Sequence, residues 1–213
     1  MFLTVEGIEG AGKSTLIGLL SAELEKRGIP FLRTREPGGC ALGAQIRPLL
    51  LNTTQKLDGR AELFLFLADR AQHVADTIRP ALEAGSWVIC DRYADSTIAY
   101  QGCGRGMDED ALQQMNDWAT GGLWPDLTFL LDLPAEAGLA RALARNGREG
   151  LTQSEGRFEA EALAFHRRIR EGFLARAARW PERFCVLDAE LPPERLLEQA
   201  LARIDASAGR AQG

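Results

Sequence analysis

The stretch that most constrains this chain is Gly7-Ile8-Glu9-Gly10-Ala11-Gly12-Lys13-Ser14, which fits the phosphate-loop spacing G-x-x-x-x-G-K-[ST]. The preceding Phe2-Leu3-Thr4-Val5 is apolar and β-prone, while Leu16, Leu19, Leu20 and Leu24 recur at helical spacing, so the glycines join a strand to a helix. Without Cβ atoms, successive backbone N–H groups can wrap an anion, and a helix beginning near Lys13 adds its positive end. Gly7 through Ser14, with Thr15, therefore form a candidate nucleotide cradle. In it Lys13 reaches the β/γ-phosphates and Ser14 a Mg²⁺ ion. A merely glycine-rich turn with an exposed lysine does not require the strand and helix on either side.

The chain has 213 residues, 46% of them hydrophobic, which suits one sizeable core with a mobile flap. Its net charge of −5 sets up no basic field for nucleic acid or an anionic membrane, so small-molecule partners are expected. Only Lys13, Lys26 and Lys56 are lysines, and the abundance of arginine makes bidentate phosphate recognition available. Cys40, Cys90, Cys103 and Cys185 show no C-x-x-C spacing, and residues 1–4 do not resemble a signal peptide, which is the pattern of a reduced cytoplasmic protein. No run is long enough to cross a membrane.

Downstream, Ile29–Leu32 reads as a second strand leading into the polar loop Thr34-Arg35-Glu36-Pro37-Gly38-Gly39. In open parallel sheets ligands sit beyond the carboxyl ends of the strands, so this loop and the phosphate loop should face one cleft. A short helix is expected through Leu42, Ile46, Leu49 and Leu50. A longer one carries Leu63, Leu67, Ala71, Val74, Ile78 and Leu82 as its core stripe. Trp87-Val88-Ile89-Cys90 has the continuous apolar character of a strand buried on both faces, and it ends in Asp91-Arg92-Tyr93. A helix near Asp110–Thr120, a strand at Leu127–Leu131, a helix through Leu139, Ala142 and Leu143, a helix with Phe158, Leu163, Phe165, Ile169 and Phe173, a strand at Phe184–Leu187 and a helix from Pro193 follow. The alternation predicts a three-layer α/β fold with about five parallel strands and helices on both faces. One domain is expected over 1–205, with a lid at about 145–157 and a disordered tail at 206–213.

Asp91, at the end of an apolar strand, looks like the second acidic element of a phosphate-loop enzyme, holding Mg²⁺ directly or through water; otherwise it is a strand-end cap. Arg92 can pair with a phosphate across the cleft. Phe66 and Arg70, at i and i+4, share a helix face where one can stack on a base and the other donate to its edge, although a core phenylalanine beside a surface arginine has the same spacing. Ser96, Thr97, Tyr100 and Gln101 offer polar groups at helical spacing for a nucleoside pocket. Arg141 and Arg145 form another i, i+4 pair, with Arg148 and Arg157 across a segment containing Gly147, Gly150 and Gly156. A solvated face is the bland reading; a lid that neutralises transferring phosphates and excludes water is the sharper one. His73 and His166 lack metal-ligand spacing.

With these residues assembled, the chain resembles the thymidylate kinases over nearly its full length. Gly7–Ser14, Thr34–Gly39, Phe66 with Asp69-Arg70-Ala71-Gln72, Asp91-Arg92-Tyr93, Tyr100-Gln101-Gly102, Pro125-Asp126-Leu127-Thr128 and Arg157-Phe158-Glu159 carry the likeness. The resemblance implies a phosphate-loop nucleoside-monophosphate kinase fold, a homodimer, and transfer of the γ-phosphoryl group of ATP to dTMP with Mg²⁺. It implies that Phe66 stacks on thymine, Arg70 bonds its edge, Tyr100 packs on the deoxyribose and Arg92 holds the acceptor phosphate. Glu9 would approach the sugar 3′-hydroxyl or a Mg²⁺-bound water, with Glu36, Pro37, Ser96, Thr97 and Gln101 completing the pocket. Gly10 in the loop and arginines at 145, 148 and 157 resemble the bacterial kind that places its catalytic arginines in the lid. Cys40, Cys103 and Gly156 depart from the usual threonine, glycine and aspartate, and the 145–157 segment is longer than usual. Another nucleoside-monophosphate or deoxynucleoside kinase is the alternative within enzymes. A GTP-binding switch or non-catalytic nucleotide-binding module is the other, against which stand the lack of N-K-x-D and of D-x-x-G after the loop.

Overall fold

A computed structural model of the chain describes residues 1–213 except 52–56, 150–156, 159–160 and 211–213, and describes 146–149 and 208–210 by their backbone alone. Five parallel strands form one sheet: β1 (Phe2–Glu6), β2 (Phe31–Arg35), β3 (Trp87–Asp91), β4 (Leu127–Asp132) and β5 (Phe184–Asp188), in the order β2-β3-β1-β4-β5. The first strand is thus central, its register setting Val5 beside Asp91 and Thr4 beside Thr128. The loops after β1 and β3 therefore open side by side at the carboxyl edge of the sheet, where ligands of open α/β folds bind.

The strands alternate their side chains between two cores, as the two-residue period requires. Leu3, Val5 and Ile89 pack with Leu16, Leu20 and Leu24 of helix α1 (Lys13–Lys26) and with Ile169 and Phe173 of α8 (Leu163–Arg179). Phe2, Val88 and Cys90 point to the other face, against Val74, Ile78 and Tyr93. Each fully buried Leu, Ile or Phe contributes about 1.5–3 kcal/mol, which makes both faces strongly directed.

Helix α2 (Ala41–Leu51) buries Ile46 and Leu50 but exposes Leu42 and Leu49, a narrower stripe than the spacing predicts. Helix α3 (Gly59–His73) is capped by the Asp58 carboxylate, which accepts from the Arg60 N–H at 2.9 Å. It runs through a π-helical turn, Val74–Ile78, into α4 (Arg79–Glu83). Ala71 of the predicted stripe is exposed, while Asp69, Arg70 and His73 on the adjoining face are buried. Helix α5 (Ala94–Thr97) passes into a second π-helical stretch, Ile98–Gly104, before α6 (Glu109–Thr120), α7 (Ala135–Glu149), α8 and α9 (Pro193–Arg210).

Three boundaries differ from expectation. Thr34 and Arg35 belong to β2, because they extend its ladder with β3 opposite Cys90 and Asp91. Phe158 precedes α8 instead of lying in it. Helix α9 continues to Arg210 through residues expected as tail, where the alanines favour helix and Arg27 ties Asp205 at 2.7 Å; residues 211–213 lie outside the described ones. Among the described residues no helix is long and apolar enough to cross a membrane.

Candidate active site

The phosphate loop leaves β1 with Gly7 (φ 138°), Gly10 (φ 73°) and Gly12 (φ 95°) all in backbone that side chains resist, and Gly12 caps α1 in the left-handed region. Lys13 folds back along the loop, donating from Nζ to the carbonyls of Gly7 (3.0 Å) and Ile8 (2.9 Å). Burial lowers its ammonium to about 8, helped by the Arg92 charge and opposed by Asp91, Glu9 and Glu6. Ser14 Oγ donates to Asp91 Oδ2 at 3.5 Å, a hydroxyl and a carboxylate brought together across 77 residues of sequence. Two hard oxygen donors facing an open cleft are of the kind Mg²⁺ takes. Among the described residues no three His, Cys, Asp or Glu side chains cluster as a metal site.

A single cavity of about 590 Å³ joins this loop to the nucleoside-binding candidates. Glu9, Gly10, Gly12, Lys13, Ser14 and Thr15 line one end; Glu36, Pro37, Phe66, Arg70, Asp91, Arg92, Ser96, Thr97, Tyr100 and Gln101 line the rest. Gly7, Ile8 and Ala11 shape the loop from behind it. Arg141, paired with Arg145 in the sequence, also lines the cavity, as do Arg35, Arg47 and Phe158, to which sequence reasoning assigned no site role. Phe158 stands edge-on to Tyr100, with centroids 5.5 Å apart, and tilted to Phe66 at 6.4 Å. These three rings form an apolar wall of the cavity.

Arg70 is not a surface arginine. It is 1% exposed, and its guanidinium donates to Glu36 Oε2 (2.8 Å), Thr97 Oγ1 (2.7 Å), Asn116 Oδ1 (2.6 Å) and the Tyr93 carbonyl (3.1 Å). Glu36 is held from its other oxygen by His73 Nδ1 at 2.9 Å, whose Nε2 meets Thr34 Oγ1 at 2.7 Å. The buried histidine is a brace for the polar loop after β2, consistent with its lack of ligand spacing.

Arg92 and Glu9 face each other in the cavity. Arg92 Nη2 donates to Glu9 Oε1 at 2.9 Å, Tyr100 Oη donates to the same oxygen at 2.5 Å, and the guanidinium lies 4.9 Å over the Tyr100 ring. His166 Nδ1 lies 3.5 Å from Glu9 Oε2. Burial pushes the Glu9 carboxyl up, but Arg92, His166, Lys13 and Tyr100 outweigh it and hold it well below the usual carboxylate range. Arg92 is correspondingly held cationic despite burial.

The arginines of the expected lid separate. Arg145 of α7 lines the cavity, together with Arg141, whose Nη1 also donates to the Ala189 carbonyl at 3.1 Å. Arg157, expected over the transferring phosphates, is placed outside the cavity lining: it donates to Glu62 Oε2 at 2.5 Å and to the Leu50 carbonyl at 3.0 Å. Glu62 is fully buried, and a buried carboxylate draws whatever cations can reach it; Arg105 pairs with it as well, at 3.2 Å. The side chain of Arg148 and residues 150–156 lie outside the described ones. Sequence spacing offered no sign of Glu62, since a glutamate in the first turn of a helix ordinarily reads as a favourable surface charge.

The chain matches the family model "Thymidylate kinase" over residues 5–200. It is 58% identical over 207 residues to a thymidylate kinase of Desulfovibrio desulfuricans, covering 97% of this chain and 95% of that one. It is 50% identical to a thymidylate kinase of Gloeobacter violaceus, over 96% and 94% of the two chains. Among solved structures, the crystal structure of thymidylate kinase from Ehrlichia chaffeensis superposes with a TM-score of 0.75 at 33% identity, covering 96% of this chain and 98% of that one.

Proposed function

Because the chain belongs to the thymidylate kinase family and phosphorylates dTMP, we propose the route by which its own residues do so, with ATP as the donor. The observation that carries the reading is the shared cavity: the phosphate loop at one end and the Phe66, Arg70, Arg92 pocket at the other open into the same 590 Å³.

The ATP phosphates lie in the loop, where the N–H groups from Gly10 to Thr15 and the positive end of α1 receive them, and Lys13 exchanges its loop carbonyls for phosphate oxygens. Ser14 and Asp91 are the residues that would hold Mg²⁺, whose charge would offset that of the phosphates. Thymine stacks on Phe66 with Arg70 at its edge, Tyr100 packs on the deoxyribose, and Thr97 and Gln101 complete the pocket with Glu36 and Pro37. Glu9, kept ionised by Arg92, is set to accept from the sugar 3′-hydroxyl or from a water on the metal.

The acceptor phosphate loses its second proton near pH ~6, so at neutral pH it is already an anionic nucleophile and no general base is required. The demand on the protein is to bring two polyanions together. At an effective dielectric of about 20, two unit charges 4 Å apart repel by about 4 kcal/mol, which is the scale each guanidinium must offset. Arg92 does so for the acceptor; Arg145 does so over the bridge, with Arg148 as a further lid candidate.

The exposed Phe64 of α3, with Met115 and Trp118 of α6, leaves apolar surface on two helices, which supports a homodimer. Four free cysteines support work in the reducing cytoplasm. The test is a panel of dTMP, dUMP, dCMP and thymidine at fixed ATP and Mg²⁺. Highest kcat/KM for dTMP is expected; preference for dCMP or unphosphorylated thymidine would overturn the pocket assignment.

A further inference from the structure

Arg92 is, among the described residues, the one non-glycine residue with a positive φ, at 69°. Left-handed backbone is costly for a side chain with a Cβ and persists only where the surroundings over-determine it. Three contacts hold it. The Arg92 N–H donates to the Val5 carbonyl at 3.1 Å, and the Cys90 thiol donates to the Arg92 carbonyl at 3.0 Å. The third comes from Glu6, the last residue of β1. Its Oε1 accepts the Tyr93 N–H at 2.7 Å and its Oε2 accepts the Ser96 hydroxyl at 2.6 Å. Ser96 Oγ in turn lies 3.2 Å from Arg92 Nη1 and accepts from it. One carboxylate thus grips the backbone just after Arg92 and, through Ser96, the guanidinium itself.

We propose that Glu6 is a positioning residue for the acceptor phosphate: it clamps the Arg92–Ser96 turn so that Arg92 is presented to dTMP in a conformation the backbone would not otherwise hold. The inference rests on the assignment of Arg92 to the acceptor. Glu6 does not line the cavity and is fully buried, so it acts through Arg92 and not on substrate. A side chain with two acceptor atoms is what two converging donors require. Burial pushes the carboxyl up to about 7, against the pull of Arg92; when protonated it still accepts from the Tyr93 N–H while donating to Ser96. A glutamine can reproduce that arrangement, its oxygen toward Tyr93 and its amide toward Ser96, whereas alanine leaves the Tyr93 N–H buried and unpaired and frees Ser96, which lines the cavity, from the strand.

The test compares steady-state kinetics of the full-length protein and of Glu6→Gln, Glu6→Ala and Glu6→Asp, with dTMP and ATP varied separately. Wild-type turnover of dTMP is read first, so failure of the function assignment is seen before any variant is compared. Glu6→Ala is expected to raise KM for dTMP by about tenfold or more and to lower kcat, with KM for ATP within about twofold of wild type. Glu6→Gln should remain within about threefold on every parameter. Glu6→Asp, one methylene too short to span both donors, should fall between them and carries the decision if the alanine variant does not fold. An unchanged KM for dTMP in Glu6→Ala or Glu6→Asp, an equal rise in both KM values, or a glutamine variant as impaired as the alanine one would each overturn the proposal.

Discussion

Helix α7 lies against the phosphate loop glycine to glycine, and adding one methyl group there should cost far more activity than stability. A Cβ on Gly138 would stand 2.6 Å from Ile8 Cδ1 and 2.7 Å from the Glu9 carbonyl oxygen; one on Gly10 would stand 2.1 Å from the Gly138 carbonyl. The Ile8 side chain can swing aside. The Glu9 carbonyl cannot, because it is part of the loop, so Gly138→Ala must lift α7 by roughly 0.7 Å or more to restore an ordinary C···O contact of about 3.4 Å. Overpacking costs about 1–3 kcal/mol, while replacing a mid-helix glycine returns about 1 kcal/mol. The net loss is therefore about 0–2 kcal/mol, a fall in Tm of at most about 8 °C for a chain of this size. Arg145 lies two turns further along the same helix, about 10 Å away, where any tilt is amplified. Misplacement by about 1 Å costs on the order of a hundredfold in rate, so kcat/KM should fall by about ten- to a hundredfold. Calorimetry and a coupled ADP-release assay on the same preparation separate the two effects. A folded Gly138→Ala protein with kcat/KM within about twofold of wild type would refute the argument that this contact sets the arginines of α7. The same contact explains why this loop carries no arginine at position 10: φ of 73° and the adjacent Gly138 carbonyl leave no room for a side chain.

Four further outcomes are expected. Lys13→Met and Arg92→Met should each lower kcat by about a thousandfold with unchanged far-ultraviolet circular dichroism, since each removes a charge from the transferring phosphates and neither fills the core. Arg70→Ala should cost about 3–5 kcal/mol, read as a urea midpoint shift, because it strands Glu36, Thr97 and Asn116 inside the protein. The depressed Lys13 ammonium predicts that KM for ATP rises as pH climbs through about 8, below an ordinary lysine's range, as the charge that meets the phosphates is lost. In the unliganded protein the sign for stability is opposite: between about 8 and the unfolded lysine value the unfolded chain binds more protons, so Lys13 adds stability as pH rises through that window.

Local chemistry made much of this molecule legible. The phosphate loop, the buried strand ending in Asp91 and the alternation of strands with helices were readable because each depends on near neighbours in sequence: glycines where φ is positive, apolar runs where both faces are covered. The sheet order was not, since it depends on which crossover packs where. The π-helical turn at Val74–Ile78 was invisible as well, and so was the burial of Arg70 and His73, whose partners Glu36, Thr97, Asn116 and Thr34 lie far off in sequence. Glu6 carried the same signal as Asp91, a carboxylate at the end of an apolar strand, and went unremarked because the loop beside it accounted for the region. The partner of Arg157 is Glu62, 95 residues away, a separation no spacing rule spans.

The account stands most directly on phosphoryl transfer between two substrates held in one cleft. Purified protein should be incubated with ATP and Mg²⁺, and ADP and deoxynucleotide products quantified with and without dTMP. ADP formation that depends on dTMP and matches dTDP one for one is the predicted result. Release of ADP at the same rate without dTMP, with no dTDP formed, would contradict it.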